Sequence, residues 1–392
     1  MQRMLLCAET AVDPIILRAW PKALHIERGG AARLDELVAR IGTRAMVVCG
    51  TTVANGPILG RVRGGLGDRL AAVFDGVRAH TPLDAVLAGA RALADCRADV
   101  IVSVGGGSAT DAAKAIAIAA LGNGLDPYRS DAAVSRSGPR MQLPAGIAPH
   151  IAVPTVPGAG NVMLPTAGVL DPQTRAKFLF DDPALIPKIA LLDAELVADC
   201  NAELTAITGI RSIVGAVEAL YAKGRNPFTS GLALESIRLM REALPASLAE
   251  PGDLEARERS LFAAVMGTLA TMNAGVSVVH AAGLVIGGRY GIAHGVPHAV
   301  LLPHVMRAFA DVLEPVRARL DSALGVSAGE DATTAFERLS ASCGLPARLC
   351  AIGVPQEDLP GIAKQTAALA IMALAPRPVG TNELCVLLGA AW

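Results

Sequence analysis

The feature that most constrains the fold is a strand that passes through a glycine turn directly into a helix. Val100–Val104 is rich in β-branched residues, and alanine-rich helical sequence begins at Ser108. Between them stand Gly105, Gly106 and Gly107. Glycines let a backbone approach a phosphate closely, and a helix N-terminus offers unbonded N–H groups and a positive dipole end. The pattern is neither G-x-G-x-x-G nor a Walker loop, and a tight turn without a ligand is the alternative; we predict a pyrophosphate cradle.

Strand-forming runs alternate with helical stretches early in the chain and vanish after Asp193. The strand-forming runs are Ala45–Val48, Val100–Val104 and Ile151–Val153. Such alternation predicts parallel strands joined by crossover helices, with ligands at the carboxyl ends of the strands. Later stretches such as Leu254–Thr271 have helical spacing. We therefore predict an α/β plus all-α fold, with a dinucleotide-binding parallel-sheet domain over residues 1–195 and a helical substrate domain over residues 196–392.

Composition indicates a globular protein and limits its partners. The chain has 392 residues, of which 52% are hydrophobic and 18% charged, and its formal net charge is −1. This charge gives no reason to expect binding to nucleic acid or to an anionic membrane. The seven cysteines form no C-x-x-C pair, which favours reduced thiols in a cytoplasm. Ala263–Gly288 lacks charged residues, but its polar side chains and glycines favour a buried helix pair over a membrane span.

Three motifs in sequence order resemble those of the iron-containing alcohol dehydrogenases. They are GGGSATDAAKA at 105–115, PTVPGAGNV at 154–162 and HGVPHAVLLPHVMRA at 294–308. The resemblance implies a dehydroquinate synthase-like fold with a cleft for a nicotinamide dinucleotide, a small substrate and usually one divalent metal. It also implies a homodimer or larger homo-oligomer. Beyond the glycines and Ser108, the cofactor residues that it implies are Thr51, Asp111, Thr155, Gly158 and Lys177.

The metal site implied by the resemblance is incomplete in this sequence. The positions that match the family's Asp and first His hold Arg211 and Gly215, whereas the other two ligand positions hold His280 and His294. Two imidazoles without a carboxylate make a poor iron or zinc site, and a guanidinium repels a cation. We predict no complete metal site, so iron or zinc would bind only if other side chains supplied ligands.

Arg211 suggests what replaces the metal. A fixed positive charge can stabilise a developing alkoxide, and a guanidinium grips carboxylates with two parallel hydrogen bonds. The stretch Val217–Pro227 resembles the maleylacetate reductases, a branch that acts on an oxo-diacid. We predict a catalytic group of Arg211, His280 and His294, in which a histidine protonates or polarises the carbonyl oxygen. The alternative for Arg211 is a structural ion pair, for which Glu218 on the same helix is one candidate partner.

The sequence therefore predicts an NAD(P)H-dependent reductase that acts on the carbonyl group of a small molecule. The substrate class that it favours is an oxo-acid. Whether the cofactor is NAD or NADP stays open, because Cys49–Thr52 has no acidic residue for the ribose. One alternative is a metal-dependent alcohol dehydrogenase with substitute ligands, and another is a non-redox or silent homologue. The remaining histidines have no partner pattern: we predict packing roles for His298 and His304, and surface positions for His25, His80 and His150.

Overall fold

A parallel sheet occupies the centre of the N-terminal half. The computed structural model describes residues 21–122, 124–126, 130–131, 143–158, 160–171 and 177–392. The six strands of this sheet are β1 (Ala23–Glu27), β2 (Ala45–Gly50), β3 (Leu70–Val77), β4 (Val100–Gly105), β6 (His150–Pro154) and β9 (Ile189–Asp193). They are all parallel and lie in the order β1-β9-β6-β4-β2-β3. The order reverses between β2 and β4, which is where open α/β sheets bind their ligands.

Helices cover both faces of this sheet. They are α1 (Leu34–Ala39), α2 (Thr51–Ala54), α3 (Pro57–Leu66), α4 (Leu83–Cys96) and α5 (Gly107–Ala119). The central strand β4 is inaccessible to solvent at Val100, Ile101 and Val102, as expected for a parallel strand packed on both sides. A small antiparallel sheet follows, formed by β5 (Ser130–Asp131), β7 (Thr166–Leu170) and β8 (Lys177–Asp181). It lies beside α5, through contacts with β7.

The C-terminal half is entirely helical in its regular structure. Its helices are α6 (Ala194–Ala198), α7 (Ala202–Tyr221), α8 (Pro227–Ala249), α9 (Leu254–Ala274), α10 (Val278–Tyr290), α11 (Gly295–Ala308), α12 (Ala310–Leu313), α13 (Arg317–Leu324), α14 (Ala332–Ser342), α15 (Leu359–Ala367) and α16 (Thr381–Ala391). Helices α7, α8 and α9 pack together as the centre of this bundle. Gly275, with φ +96°, ends α9 and allows the chain to turn sharply into α10.

Close backbone contacts bring the loop after β6 against the helical bundle. A Cβ atom on Gly158 would lie 2.2 Å from the Thr208 carbonyl oxygen of α7, so only glycine fits there. One on Gly160 would lie 1.9 Å from the Thr268 hydroxyl of α9. The buried Lys114 ammonium holds the far end of this loop by donating to the Leu164 carbonyl at 2.7 Å. The loop therefore forms one wall of a cleft whose other wall is made by α7 and α9.

The predicted fold class is confirmed, while the division of the chain at residue 195 stays a prediction. The sequence did not indicate the edge strands β1 and β3, whose side chains are only partly buried. The stretch 126–149 is rich in proline, glycine, serine and arginine, which predicts an exposed loop, and most of it lies outside the described residues. Helix α7 is long and apolar enough to cross a membrane, as are α9 and α10 together, but 78% of the α7 window is buried inside the protein and the α9–α10 pair is bent by 106°.

Candidate active site

The glycine turn opens at the carboxyl end of β4 and leaves the start of α5 accessible. Gly105 has φ +144°, a conformation that favours glycine, and Gly107 begins the helix. The N-cap residue Gly106 makes no side-chain cap, so the first-turn N–H groups remain available to a phosphate. A Cβ atom on Gly106 would meet only Val156, at 3.7 Å, so the space above the turn is otherwise empty. These features fit a dinucleotide pyrophosphate.

The structure brings most of the other predicted cofactor residues to the same sheet edge. Thr51 begins α2 directly after β2, the strand that pairs with β4. On the other side of β4, the Thr155 amide donates to the Gly105 carbonyl at 3.2 Å. Asp111 faces away from the turn, because its carboxylate accepts from the Gly168 amide at 3.2 Å. Lys177 is the first residue of β8 in the small sheet.

A pocket between the β6 loop and the bundle holds two of the predicted catalytic residues. It encloses about 390 Å³ of empty space, part of which is open to solvent. Arg211 of α7 and His280 of α10 both line this pocket, and Gly215 lies one helical turn after Arg211. The other lining residues are Gly158, Gly160, Leu164, Ser212, Gly267, Thr268 and Thr271. Because Gly215 has no side chain, the space that a family ligand would fill is part of the pocket.

Arg211 makes no hydrogen bond or salt bridge with any residue that the structure describes. Burial lowers the pKa of its guanidinium and the nearby Asp111 carboxylate opposes that shift, but a guanidinium stays protonated in proteins. The predicted alternative of an ion pair with Glu218 is wrong, since that carboxylate is occupied elsewhere. A partly buried cation that lines a pocket and forms no hydrogen bond with the described residues can bind an anion.

Glu218 holds His280 in place. This carboxylate is inaccessible to solvent, and one of its oxygens contacts the His280 Nδ1 atom. The other oxygen accepts from the Tyr221 hydroxyl at 3.0 Å and from the Ser277 and Val279 amides at 3.0 and 3.1 Å. Glu218 thus caps the start of α10, where Ser277 makes no side-chain cap. The contact fixes the imidazole ring and leaves Nε2 without a partner among the described residues.

A row of histidine rings extends from His280 away from the pocket. The ring of His298 lies 4.4 Å from that of His280 and 6.5 Å from that of His294, between centroids. Neither nitrogen of the buried His298 ring has a hydrogen-bond partner among the described residues. Burial first, and then the neighbouring His280 and Arg211, hold the pKa of His298 well below its ordinary value. His298 is therefore buried between the two predicted catalytic histidines, and the packing role predicted for it stays a prediction.

The structure corrects the surface position predicted for His150, and it gives the partly exposed His80 a ring partner. His80 lies edge-on to His294, with ring centroids 5.6 Å apart. His150 is 5% exposed and shares a 2.7 Å hydrogen bond with the Ser103 hydroxyl, and burial lowers its pKa to about 3. One signal in the sequence could have identified Glu218 as a residue of the candidate site. It is the only charged residue in the otherwise apolar stretch Ile213–Leu220 of α7.

The donor set does not fit a metal ion of the kind that the resemblance implies. Arg211 places a positive charge where a carboxylate would be needed, and Gly215 offers no donor. Within the described part of the chain, no three His, Cys, Asp or Glu side chains converge as ligands. Glu218, the carboxylate closest to His280, already accepts four contacts. The nitrogen and oxygen atoms that remain fall short of the three or four that iron or zinc requires.

Comparisons with known proteins agree with this architecture. The family model for iron-containing alcohol dehydrogenase matches residues 21–194, and that for the C-terminal part of the Fe-containing alcohol dehydrogenase family matches residues 205–392. Maleylacetate reductase 2 of Cupriavidus pinatubonensis is 35% identical over 84% of this chain and 83% of its own length. 1,3-Propanediol dehydrogenase of Klebsiella pneumoniae is 34% identical over 75% of this chain and 76% of its own length.

Solved structures give the same result. The crystal structure of maleylacetate reductase from Agrobacterium tumefaciens superimposes with a TM-score of 0.80 at 29% identity, covering 97% of this chain and 99% of that one. The matches extend through both the sheet and the helical bundle, so the likeness is not limited to the cofactor half. The chain therefore belongs to the iron-containing alcohol dehydrogenase family and is an NAD(P)-dependent oxidoreductase that acts between alcohols and carbonyl compounds.

Proposed function

We propose that the protein reduces the carbonyl group of a small oxo-acid with NADH or NADPH and without a bound metal. The observation on which this proposal rests is that two chemically active side chains line the same pocket. Arg211 is a cation that forms no hydrogen bond or salt bridge with the described residues, and His280 is a hydrogen-bonding group held by Glu218. Gly158 of the same pocket belongs to the loop that follows β6, next to the glycine cradle. The two groups therefore lie beside the place where the cofactor fits.

Arg211 binds the carboxylate of the substrate in this proposal. A guanidinium offers two parallel N–H donors to a carboxylate, and the partly buried site strengthens the attraction by excluding water. The hydroxyl groups of Ser212 and Thr268 line the same pocket and can donate to the remaining oxygen atoms, whereas the Thr271 hydroxyl already donates to the Thr268 carbonyl at 3.0 Å. An uncharged aldehyde or diol lacks the negative charge that this arrangement is built to hold.

His280 acts on the carbonyl oxygen. A bound NADH or NADPH supplies the hydride to the carbonyl carbon, and the oxygen then needs a proton. Because Nδ1 faces the Glu218 carboxylate, Nε2 is the ring atom left to hydrogen-bond the oxygen and to transfer a proton to it. Glu218 orients the ring, as a buried carboxylate does for a catalytic imidazole elsewhere.

The relatives support the substrate class. Two proteins called maleylacetate reductase, from Cupriavidus pinatubonensis and a Rhizobium species, are 35% and 30% identical to this chain over 84% and 97% of its length. Maleylacetate is an unsaturated oxo-diacid with a ketone, a carbon–carbon double bond and two carboxylates, and the carboxylates suit a pocket whose guanidinium forms no hydrogen bond with the described residues. The name of a third relative, 1,3-propanediol dehydrogenase, indicates an uncharged substrate, so substrate charge is the property to test. A cytoplasmic location and a homo-oligomeric state stay predictions.

The experiment compares two substrates that differ only in a carboxylate. Succinic semialdehyde and butanal have the same chain length and the same aldehyde, so only the first can engage Arg211 as an anion. We expect the protein to prefer succinic semialdehyde, and maleylacetate to be reduced as well. Arg211→Met should cost about 2–4 kcal/mol of transition-state stabilisation for the acid, which corresponds to about 30- to 900-fold in kcat/KM, and much less for butanal.

Arg307→Met is the matched control. Arg307 is exposed on α11 and its salt bridge to Glu337 lies on the surface, so its replacement should change neither substrate's kcat/KM. An equal loss of activity for both substrates in Arg211→Met would remove the oxo-acid argument. A lower melting temperature with unchanged turnover per folded molecule would show that Arg211 is structural.

A further inference from the structure

The loop between β3 and α4 is strained. Its residues His80 and Thr81 have φ values of +62° and +55°, in the left-handed region that side chains other than glycine seldom adopt. Two such residues in succession are unusual, and a β-branched threonine is among the least suited to this conformation. Among the described residues, Arg97 is the one other non-glycine residue with a positive φ, and it ends helix α4.

Hydrogen bonds on all sides of Thr81 hold the loop in this conformation. The Thr81 hydroxyl donates to the carbonyl of Ser108 in the cofactor cradle at 3.2 Å. The Thr81 amide donates to the Arg78 carbonyl at 3.1 Å, and the Thr81 carbonyl accepts from the Leu170 amide at 3.0 Å. Thr81 is 2% exposed. Strained backbone of this kind persists only where its surroundings over-determine it, and it is concentrated at functional sites.

The strained conformation points one side chain at the helical bundle. The His80 ring meets the His294 ring edge-on, with an interplanar angle of 83°. His294 precedes α11 and adjoins His298, whose ring lies against His280 in the pocket. The contact therefore joins the sheet half, at the cradle residue Ser108, to the row of histidines in the helical half. A relaxed loop would not need to direct a ring across this cleft.

We propose that His80 is a positioning residue for this active site. Its ring fixes the place of His294, while Thr81 ties the same loop to Ser108, so that the cofactor cradle and the histidine row keep a constant separation. The part that concerns turnover rests on the proposed reductase function, whereas the ring contact does not. His80 neither binds the substrate nor transfers a proton in this proposal; it acts through the packing of its ring against His294.

Two replacements of His80 separate the ring from the backbone. His80→Asn removes the ring and keeps a residue that tolerates the left-handed conformation. His80→Phe restores an aromatic edge without imidazole nitrogens. We expect His80→Asn to lower kcat at least tenfold while the dissociation constant for NADH stays within twofold, and His80→Phe to recover most of the loss. His25→Ala, a partly buried histidine on β1, is the control and should behave as the natural protein does.

A second readout does not depend on turnover. NMR spectra of protein labelled with ¹⁵N-histidine provide this readout. His80→Asn should shift the side-chain resonances of His294. The resonances of His150, which lies at the opposite end of the strands, should not change. Unchanged His294 resonances would overturn the proposal, as would full turnover in His80→Asn or no recovery in His80→Phe. If the natural protein reduces no carbonyl compound, the proposed function fails, and the resonances alone decide whether His80 positions His294.

Discussion

Replacing Glu218 by glutamine tests the group on which the candidate site depends most. The carboxylate accepts from the Tyr221 hydroxyl and the Ser277 and Val279 amides at 3.0–3.1 Å, and it contacts His280 Nδ1. Glutamine keeps one oxygen for the first three donors, but that oxygen is uncharged. A hydrogen bond to a charged group contributes about 1 kcal/mol more than one to a neutral group, so three weakened bonds cost about 2–4 kcal/mol of unfolding free energy.

The same replacement should change the chemistry of His280. The amide group of glutamine would face Nδ1 as a donor, which reverses the tautomer of the ring and removes the carboxylate that fixes its orientation. We expect kcat to fall by about 100-fold or more, the range that a lost general acid produces. Urea unfolding followed by circular dichroism measures the stability change, and steady-state kinetics measures the turnover of the same preparations.

Glu235→Gln is the control for this replacement. Glu235 is on α8 and forms a surface salt bridge with Arg238, so its loss should cost less than about 1 kcal/mol and leave kcat unchanged. The reasoning would be refuted if Glu218→Gln were as stable as Glu235→Gln and if its kcat equalled that of the natural protein. A loss of stability without a loss of turnover would mean that Glu218 serves only to cap α10.

Two further predictions concern the cofactor and the metal. Gly106→Val should abolish NADH binding in calorimetry, because the new side chain would occupy the space above the glycine turn. The protein should stay folded, because Gly106 has φ −84° and a Cβ atom there would lie 3.7 Å from Val156, at ordinary contact distance. Undiminished affinity in the folded variant would contradict the assignment of the cradle. The purified protein should contain well under one iron or zinc per chain by elemental analysis, and a chelator should leave its turnover unchanged. Stoichiometric, tightly held metal would show that other side chains complete the site.

Much of the fold and half of the site could be predicted from local sequence. The run Val100–Val104, the three glycines after it and the alanine-rich helix identify β4, the turn and α5, because each feature depends only on neighbouring residues. The replacement of two ligand positions by Arg211 and Gly215 could also be read directly. The edge strands β1 and β3 could not, since their partly exposed side chains lack the continuous apolar run of a central strand.

What only the tertiary structure decided is which distant groups touch. Glu218 and His280 are 62 residues apart, and nothing in the spacing of either segment indicates that the carboxylate would cap α10 instead of pairing with Arg211 on its own helix. The contact of His80 with His294 depends on two left-handed residues whose conformation is imposed by hydrogen bonds from other elements. Sequence by itself therefore determined the central strands, the glycine turn, the helical character of the second half and the identity of several candidate site residues, because periodicity and glycine turns are local properties. The orientation of those residues followed from packing between elements far apart in the chain, which local patterns do not record.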